Sequence, residues 1–205
     1  KGDTIVTSPA SSETTFTYRG KTTAYDNGIP QIFINSSRDT KTKDINLYTD
    51  TTKTKVNASL MIKGADGSTT EVSNSGTVNV RGNSTSLADK KAYNLKFDSS
   101  INPFGMGTAK KWSLLANIFD KTMIRNYMGL NFQRYLESTQ TPFENNVSKA
   151  FTSNCKNVDL YVDGKYLGTY LLTESVEVGA DRVNIDTSYY DKTTDDVKAD
   201  STPTT

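Results

Sequence analysis

With 205 residues, the chain is long enough for one large domain or two small ones, and its 24 Lys and Arg against 23 Asp and Glu leave a formal charge of only +1. That balance excludes a general polyanion binder such as a non-specific nucleic-acid protein, while a local basic patch stays compatible with it. Histidine is absent and Cys155 is the one cysteine, which excludes His-dependent triads, His–zinc sites, an internal disulfide and any multi-cysteine metal cluster.

Along the chain, residues 1–28 are polar and are expected to form an N-terminal arm or an edge strand. Ile29-Pro30-Gln31-Ile32-Phe33-Ile34 begins a strand with Ile32 and Ile34 on one face. After a polar stretch from Lys41 to Lys53, Val56, Ala58, Leu60 and Ile62 alternate with polar neighbours. Thr77–Arg81 and Ala92–Phe97 follow as further strands, the latter placing Tyr93, Leu95 and Phe97 on one face and Asn94 and Lys96 on the other. Trp112–Ala116 is apolar enough for a short buried strand or a turn. From Asp120, an expected N-cap, apolar residues recur at helical spacing through about Glu137: Met123, Ile124, Tyr127, Met128, Phe132, Tyr135 and Leu136. Asp163-Gly164 between two strand patterns predicts a hairpin ending at Glu174. These elements predict an α+β fold, an antiparallel sheet covered on one face by the long helix. The Thr-, Asp- and Pro-rich residues 187–205 read as a linker.

Several segments carry chemistry-bearing residues. Arg81-Gly82-Asn83-Ser84, followed by Lys90 and Lys91, is a Gly-bearing turn with hydroxyls and cations, suited either to cradling a phosphate or to a plain solvated turn. Lys96 is expected to project into a cleft or to snorkel along the sheet surface. Asp120 is expected to cap the helix, and Arg125 to pair with a carboxylate or a phosphate. Phe104-Gly105-Met106-Gly107 does not match a nucleotide-binding glycine fingerprint and is expected to be a turn. Glu174 and Glu177 form a pair of carboxylates of the kind a glycosidase needs, provided that both face one cleft. Cys155, without any histidine, is expected to be a buried small residue. No apolar run approaches the ~18 residues of a membrane span. The abundance of Thr, Ser and Asn beside a single cysteine points to an extracellular bacterial protein.

In combination, Val80–Thr85, Lys90–Phe97, Phe104–Met106, Lys111–Asn117, Asp120–Asn126 and Tyr161–Glu174 are similar in order and spacing to the CotH kinase family of secreted or spore-coat proteins, themselves similar to atypical protein kinases. The resemblance covers roughly residues 29–186 and implies the N-terminal lobe of a kinase that transfers phosphate from ATP to a secreted or surface protein, with a divalent metal such as Mg. It implies that Arg81, Gly82, Asn83 and Ser84 lie over the phosphates and that Lys91 or Lys96 pairs with them. The helix with Asp120, Arg125 and Asn126 would brace that cation, and Glu174 would approach the adenine. The family's acidic metal ligands lie in a C-terminal lobe beyond this chain, and Asp186, Asp191, Asp195 and Asp196 sit in unpatterned sequence with no ligand role assigned. The expectation is therefore an N-terminal, nucleotide-binding portion, inactive alone, with the missing lobe as its partner and neither nucleic acid nor membrane engaged. The competing reading is a non-catalytic extracellular binding or scaffold module.

Overall fold

A computed structural model of the chain describes residues 28–37, 41–42, 44–66, 70–139, 152–178 and 183, together with 190–191 and 196–197. Strands form at each expected segment and several run further than expected, β3 starting at Thr70 rather than Thr77: β1 (Gln31–Ser37), β2 (Val56–Lys63), β3 (Thr70–Arg81), β4 (Ala92–Ile101), β5 (Ala109–Leu115), β6 (Cys155–Val162) and β7 (Lys165–Glu174). The single α-helix among the described residues, α1 (Arg125–Thr139), joins β5 to β6. A two-residue pairing of β8 (Tyr190–Asp191) with β9 (Asp196–Val197) lies within the expected linker. Apart from these four residues and Gly28, the expected arm 1–28 and linker 187–205 fall outside the described residues.

The seven strands do not form an open layer. They close into a barrel in the order β1-β2-β3-β4-β5-β7-β6. Neighbours are antiparallel except β1 and β6, whose parallel pairing closes the ring from Gln31 opposite Asp159 to Ile34 opposite Val162. Closure removes both sheet edges, and alternate residues of every strand then point inward. Trp112, Tyr93, Tyr170, Phe97, Ile32, Ile34, Leu60, Leu95 and Leu114 fill that interior at 2% exposure or less. A filled interior makes the barrel a core rather than a pore.

Local chemistry explains the corners. Asp163 and Gly164 both have positive φ (46° and 78°), the signature of the primed two-residue turn that matches strand twist, so the expected hairpin forms between β6 and β7. At the β3–β4 seam, a Cβ on Gly76 would lie 2.3 Å from the Lys96 carbonyl oxygen, so only glycine permits this approach. The mostly polar stretch before β2 hides a plug: Leu47 is fully buried with Ile45 and Tyr48 packed against the core, the Leu47 carbonyl accepts from the Tyr93 hydroxyl at 3.1 Å, and the Tyr48 hydroxyl donates to the Val162 carbonyl. Ile101 and Met106 are buried toward the other end of β4, where Phe104 packs against the core. Phe104-Gly105-Met106 is the turn expected there, with Phe104 and Gly105 at positive φ.

The expected α+β sheet covered by a long helix is therefore corrected to a closed β-barrel with one helix on its outside. Not one residue of α1 is buried. Ile124, just before the helix, and Met128, Phe132 and Tyr135 within it are each more than half exposed. Apolar periodicity identified a real helix and a real stripe, but the barrel buries its core within itself, and α1 lies beside β6 with that stripe exposed. Polar bonds hold α1 instead: Asn126 to Asn117 at 2.7 Å, Arg134 to the Thr152 carbonyl at 2.9 Å, and Glu137 to the Thr152 hydroxyl at 2.6 Å.

Candidate functional site

Because β4 places Tyr93, Leu95 and Phe97 in the core, Asn94 and Lys96 face outward, and each neighbouring strand contributes the residue in register. A transverse row runs Asn79, Asn94, Ser113, Thr173, Cys155 across β3, β4, β5, β7 and β6. Ser113 donates to Asn94 Oδ1 at 3.2 Å, and its hydroxyl lies 3.4 Å from that of Ser175. One step along the strands, Lys96 stands opposite Lys111 and Thr77. On the other side of the row, Arg81 pairs with Ala92, and Leu115 pairs with Leu171, which is fully buried. The outer face thus holds a polar row between two lysines at one side and an apolar step with an arginine at the other.

The cations differ sharply in circumstance. The exposed Lys96 side chain has no hydrogen bond or ion pair among the described residues, and neither does that of half-buried Arg81, whose pKa is lowered by burial from its high ordinary value. Lys111 Nζ lies 2.8 Å from Glu177 Oε2. Lys91 is buried, and its Nζ donates to the Ser86 carbonyl at 2.9 Å, anchoring the turn after β3. Lys90 Nζ donates to the Thr169 carbonyl at 2.6 Å and sits 4.4 Å over the Tyr170 ring; burial pushes its ammonium pKa down, with Asp159 opposing. Of the two lysines considered for one role, Lys96 is on the outer face with an uncommitted ammonium, whereas Lys91 is consumed in holding a loop.

The turn itself is built by glycine. Gly82 has φ +96°, and a Cβ there would lie 1.8 Å from Thr85 Oγ1. Asn83 follows, its carbonyl accepting from Ser86 N and Ser86 Oγ and its side chain accepting from Lys53 Nζ at 3.3 Å. Ser84 opens the short 3-10 turn Ser84–Leu87 and is exposed. Asp120 accepts from Thr122 Oγ1 at 2.6 Å and from the backbone N–H of Arg125 at 2.9 Å, and these bonds hold its carboxyl below the usual carboxylate range. It caps α1 from a distance, since the helix starts at Arg125. The Arg125 side chain is 80% exposed with Nε 3.6 Å from Asp120 Oδ1, and Asn126 is engaged by Asn117.

Glu174 is in register with core residue Trp112, and its carboxylate accepts from Asn154 N at 2.9 Å and Asn154 Nδ2 at 3.4 Å. Glu177 instead serves Lys111 on the outer face. The two carboxylates point to opposite faces, which removes the glycosidase reading. Buried Glu174 is a bracket between the end of β7 and the start of β6. Cys155 is half-buried rather than buried; Asn131 Nδ2 lies 3.5 Å from its Sγ, and burial pushes the thiol pKa up.

Asn79, Lys111, Ser113, Thr173 and Ser175 join this face without having been singled out by motif. For the first four the signal was parity, because each occupies the outward phase of its strand and register brings the phases onto one face, while Ser175 lies just past β7 and joins by its approach to Ser113. Among the described residues no three Asp, Glu or Cys side chains converge as metal ligands, and no described helix is long and apolar enough to cross a membrane. A protein-family model described as CotH kinase protein matches residues 78–203, more than half of the chain. The match starts later and ends later than the expected kinase-like region 29–186 and takes in most of the expected linker. No curated protein matches the chain.

Proposed function

The chain belongs to the CotH kinase family, and on that premise we propose that its outer β3–β4–β5–β7 face is the nucleotide-facing surface of an extracellular, kinase-like protein. ATP, with a divalent metal such as magnesium, is the ligand of this reading, and the hydroxyl of a secreted or surface protein is the acceptor. The observation that carries it is Lys96, a cation without a partner among the described residues, beside a polar row in which Ser113 donates to Asn94 and Thr173 follows in register. Arg81 adds a second cation with no partner among the described residues, next to the Gly82 turn. Ala92 and Lys96 are four positions apart in β4, about 13 Å at the usual ~3.3 Å rise, a span comparable to a nucleoside with its phosphates. A cation at either end of that span suits a ligand whose phosphates meet one of them.

The metal is a different matter. Its acidic ligands are assigned to none of the described residues, and no step is routed through them. Phosphoryl transfer relies on positioning and charge stabilisation inside a site that excludes water. One barrel face, with Ser113 and Thr173 buried and Lys96 and Lys111 exposed, supplies only half of such an enclosure, so this chain is proposed to bind nucleotide without turning it over, a C-terminal lobe being the partner of this reading.

Calorimetric titration with ATP and magnesium tests the reading: Lys96→Met is expected to weaken binding by about tenfold or more, the loss of one charge-assisted contact, while Lys91→Met lowers the melting temperature. Equal nucleotide affinity in wild type and Lys96→Met would remove Lys96 from the site. Absence of any ATP binding would instead favour a binding or scaffold module. Turnover of labelled ATP by the purified chain, abolished by Lys96→Ala, would overturn the proposed inactivity.

A further inference from the structure

Lys96 and Lys111 are directly opposed across β4 and β5 on the outer face, an arrangement of like charges that costs a few tenths of a kcal/mol unless something compensates it. A single carboxylate does so. Glu177 Oε2 approaches Lys111 Nζ at 2.8 Å, while Lys96 has no such partner among the described residues. Lys110, the next lysine on β5, is committed elsewhere, its Nζ donating to the Asp98 carbonyl at 2.7 Å. Glu177 belongs to the segment after β7 and stands outside the barrel ladder, so the pair can separate without breaking a strand. The Lys111 side chain is 55% and the Glu177 side chain 28% exposed, and an ion pair that accessible is worth only about 0–1 kcal/mol.

We propose that Glu177 is a displaceable counter-ion, occupying Lys111 until a polyphosphate arrives and then ceding it, so that Lys96 and Lys111 clamp the anion together. This rests on the reading of the outer face as nucleotide-facing and deepens it by naming the second lysine and the group that competes for it. The ligand chemistry is a chain of linked phosphates, as in a nucleoside triphosphate or inorganic tripolyphosphate. No covalent step is involved: one carboxylate leaves Lys111 as phosphate oxygens replace it.

The experiment titrates the full chain with ATP, tripolyphosphate and adenosine at constant ionic strength. Glu177→Gln is expected to tighten tripolyphosphate binding about threefold to tenfold, from the lost competition and the removed negative charge. That gain is expected to vanish in Glu177→Gln combined with Lys111→Met, which a double-mutant cycle reads as coupling between the two positions. Glu71→Gln, with the same change of net charge on an exposed residue of β3, controls for charge alone. If Glu177→Gln leaves affinity unchanged or weakens it, or if Glu71→Gln gives the same gain, the counter-ion role is overturned, and ATP binding lost in Lys96→Met would then still support the nucleotide reading. If the gain is seen but ATP binds no better than tripolyphosphate, the counter-ion role stands and the nucleotide reading falls. Absence of tripolyphosphate and ATP binding in both wild type and Glu177→Gln would sink both.

Discussion

Asp120 shows how a residue read correctly in kind acts from an unexpected distance. An Asp before an apolar helical stripe signals a cap, and its carboxylate does accept the Arg125 amide, five residues on, through a turn completed by Thr122. Those bonds hold its pKa below the usual range, which fixes the sign of its pH dependence. A depressed folded pKa means that the stabilisation is complete above the unfolded value, near 4, and is lost as pH falls through the lower folded value. Circular dichroism should show Asp120→Ala reducing helicity at pH 7 and flattening the loss of helicity below about pH 4; an unchanged acid limb would remove Asp120 as its source. Lys91 and Lys96 make the complementary point. Strand parity put Lys96 on the outer face and left Lys91 ahead of the strand, but the commitment of Lys91 to the Ser86 carbonyl depends on how the Gly82 turn folds back. No spacing rule encodes that.

At the scale of elements, β1, β2, β4, β6 and the second half of β3 were legible as alternation, β5 and β7 only as apolar runs, and the β6–β7 hairpin as Asp-Gly between two strand patterns. The plug at Leu47 was not, because Ile45, Leu47 and Tyr48 are too short a cluster within a polar stretch to set a period. The helix was visible, whereas its environment was not. Met128, Phe132 and Tyr135 report which side of α1 is apolar, and periodicity is silent on whether that side meets a sheet or solvent. Substitution should separate the two cases. Phe132→Ser is expected to shift chemical unfolding by no more than about 0.5 kcal/mol, as for an ordinary surface change. Trp112→Ala, in the barrel core, is expected to cost about 3–5 kcal/mol. A large loss for Phe132→Ser would mean that its ring is covered in solution.

For the whole molecule, the decisive event is closure. The parallel β1–β6 seam brings together residues more than a hundred positions apart, and Asp163 ties it by accepting from Ser36 N at 2.7 Å and from Ser36 Oγ at 2.8 Å. Asp163 also adopts positive φ, which alanine resists. Urea unfolding of Asp163→Ala should show a loss of about 2 kcal/mol, with Asp163→Asn closer to wild type. Equal stability of all three would mean that the seam closes without this tie. Closure also creates the candidate site, since Asn79, Asn94, Ser113 and Thr173 become one row only when β3, β4, β5 and β7 lie in register. By itself the sequence determined the kind of each element, the exclusion of histidine and disulfide chemistry, and the ordered segments of the CotH kinase family, because these follow from residue type and local period. Tertiary structure alone decided that the sheet closes, that α1 remains outside it, and that Lys111 and Glu177 stand beside Lys96, because strand register and long-range pairing arise from packing across the whole chain, which a period of two leaves open.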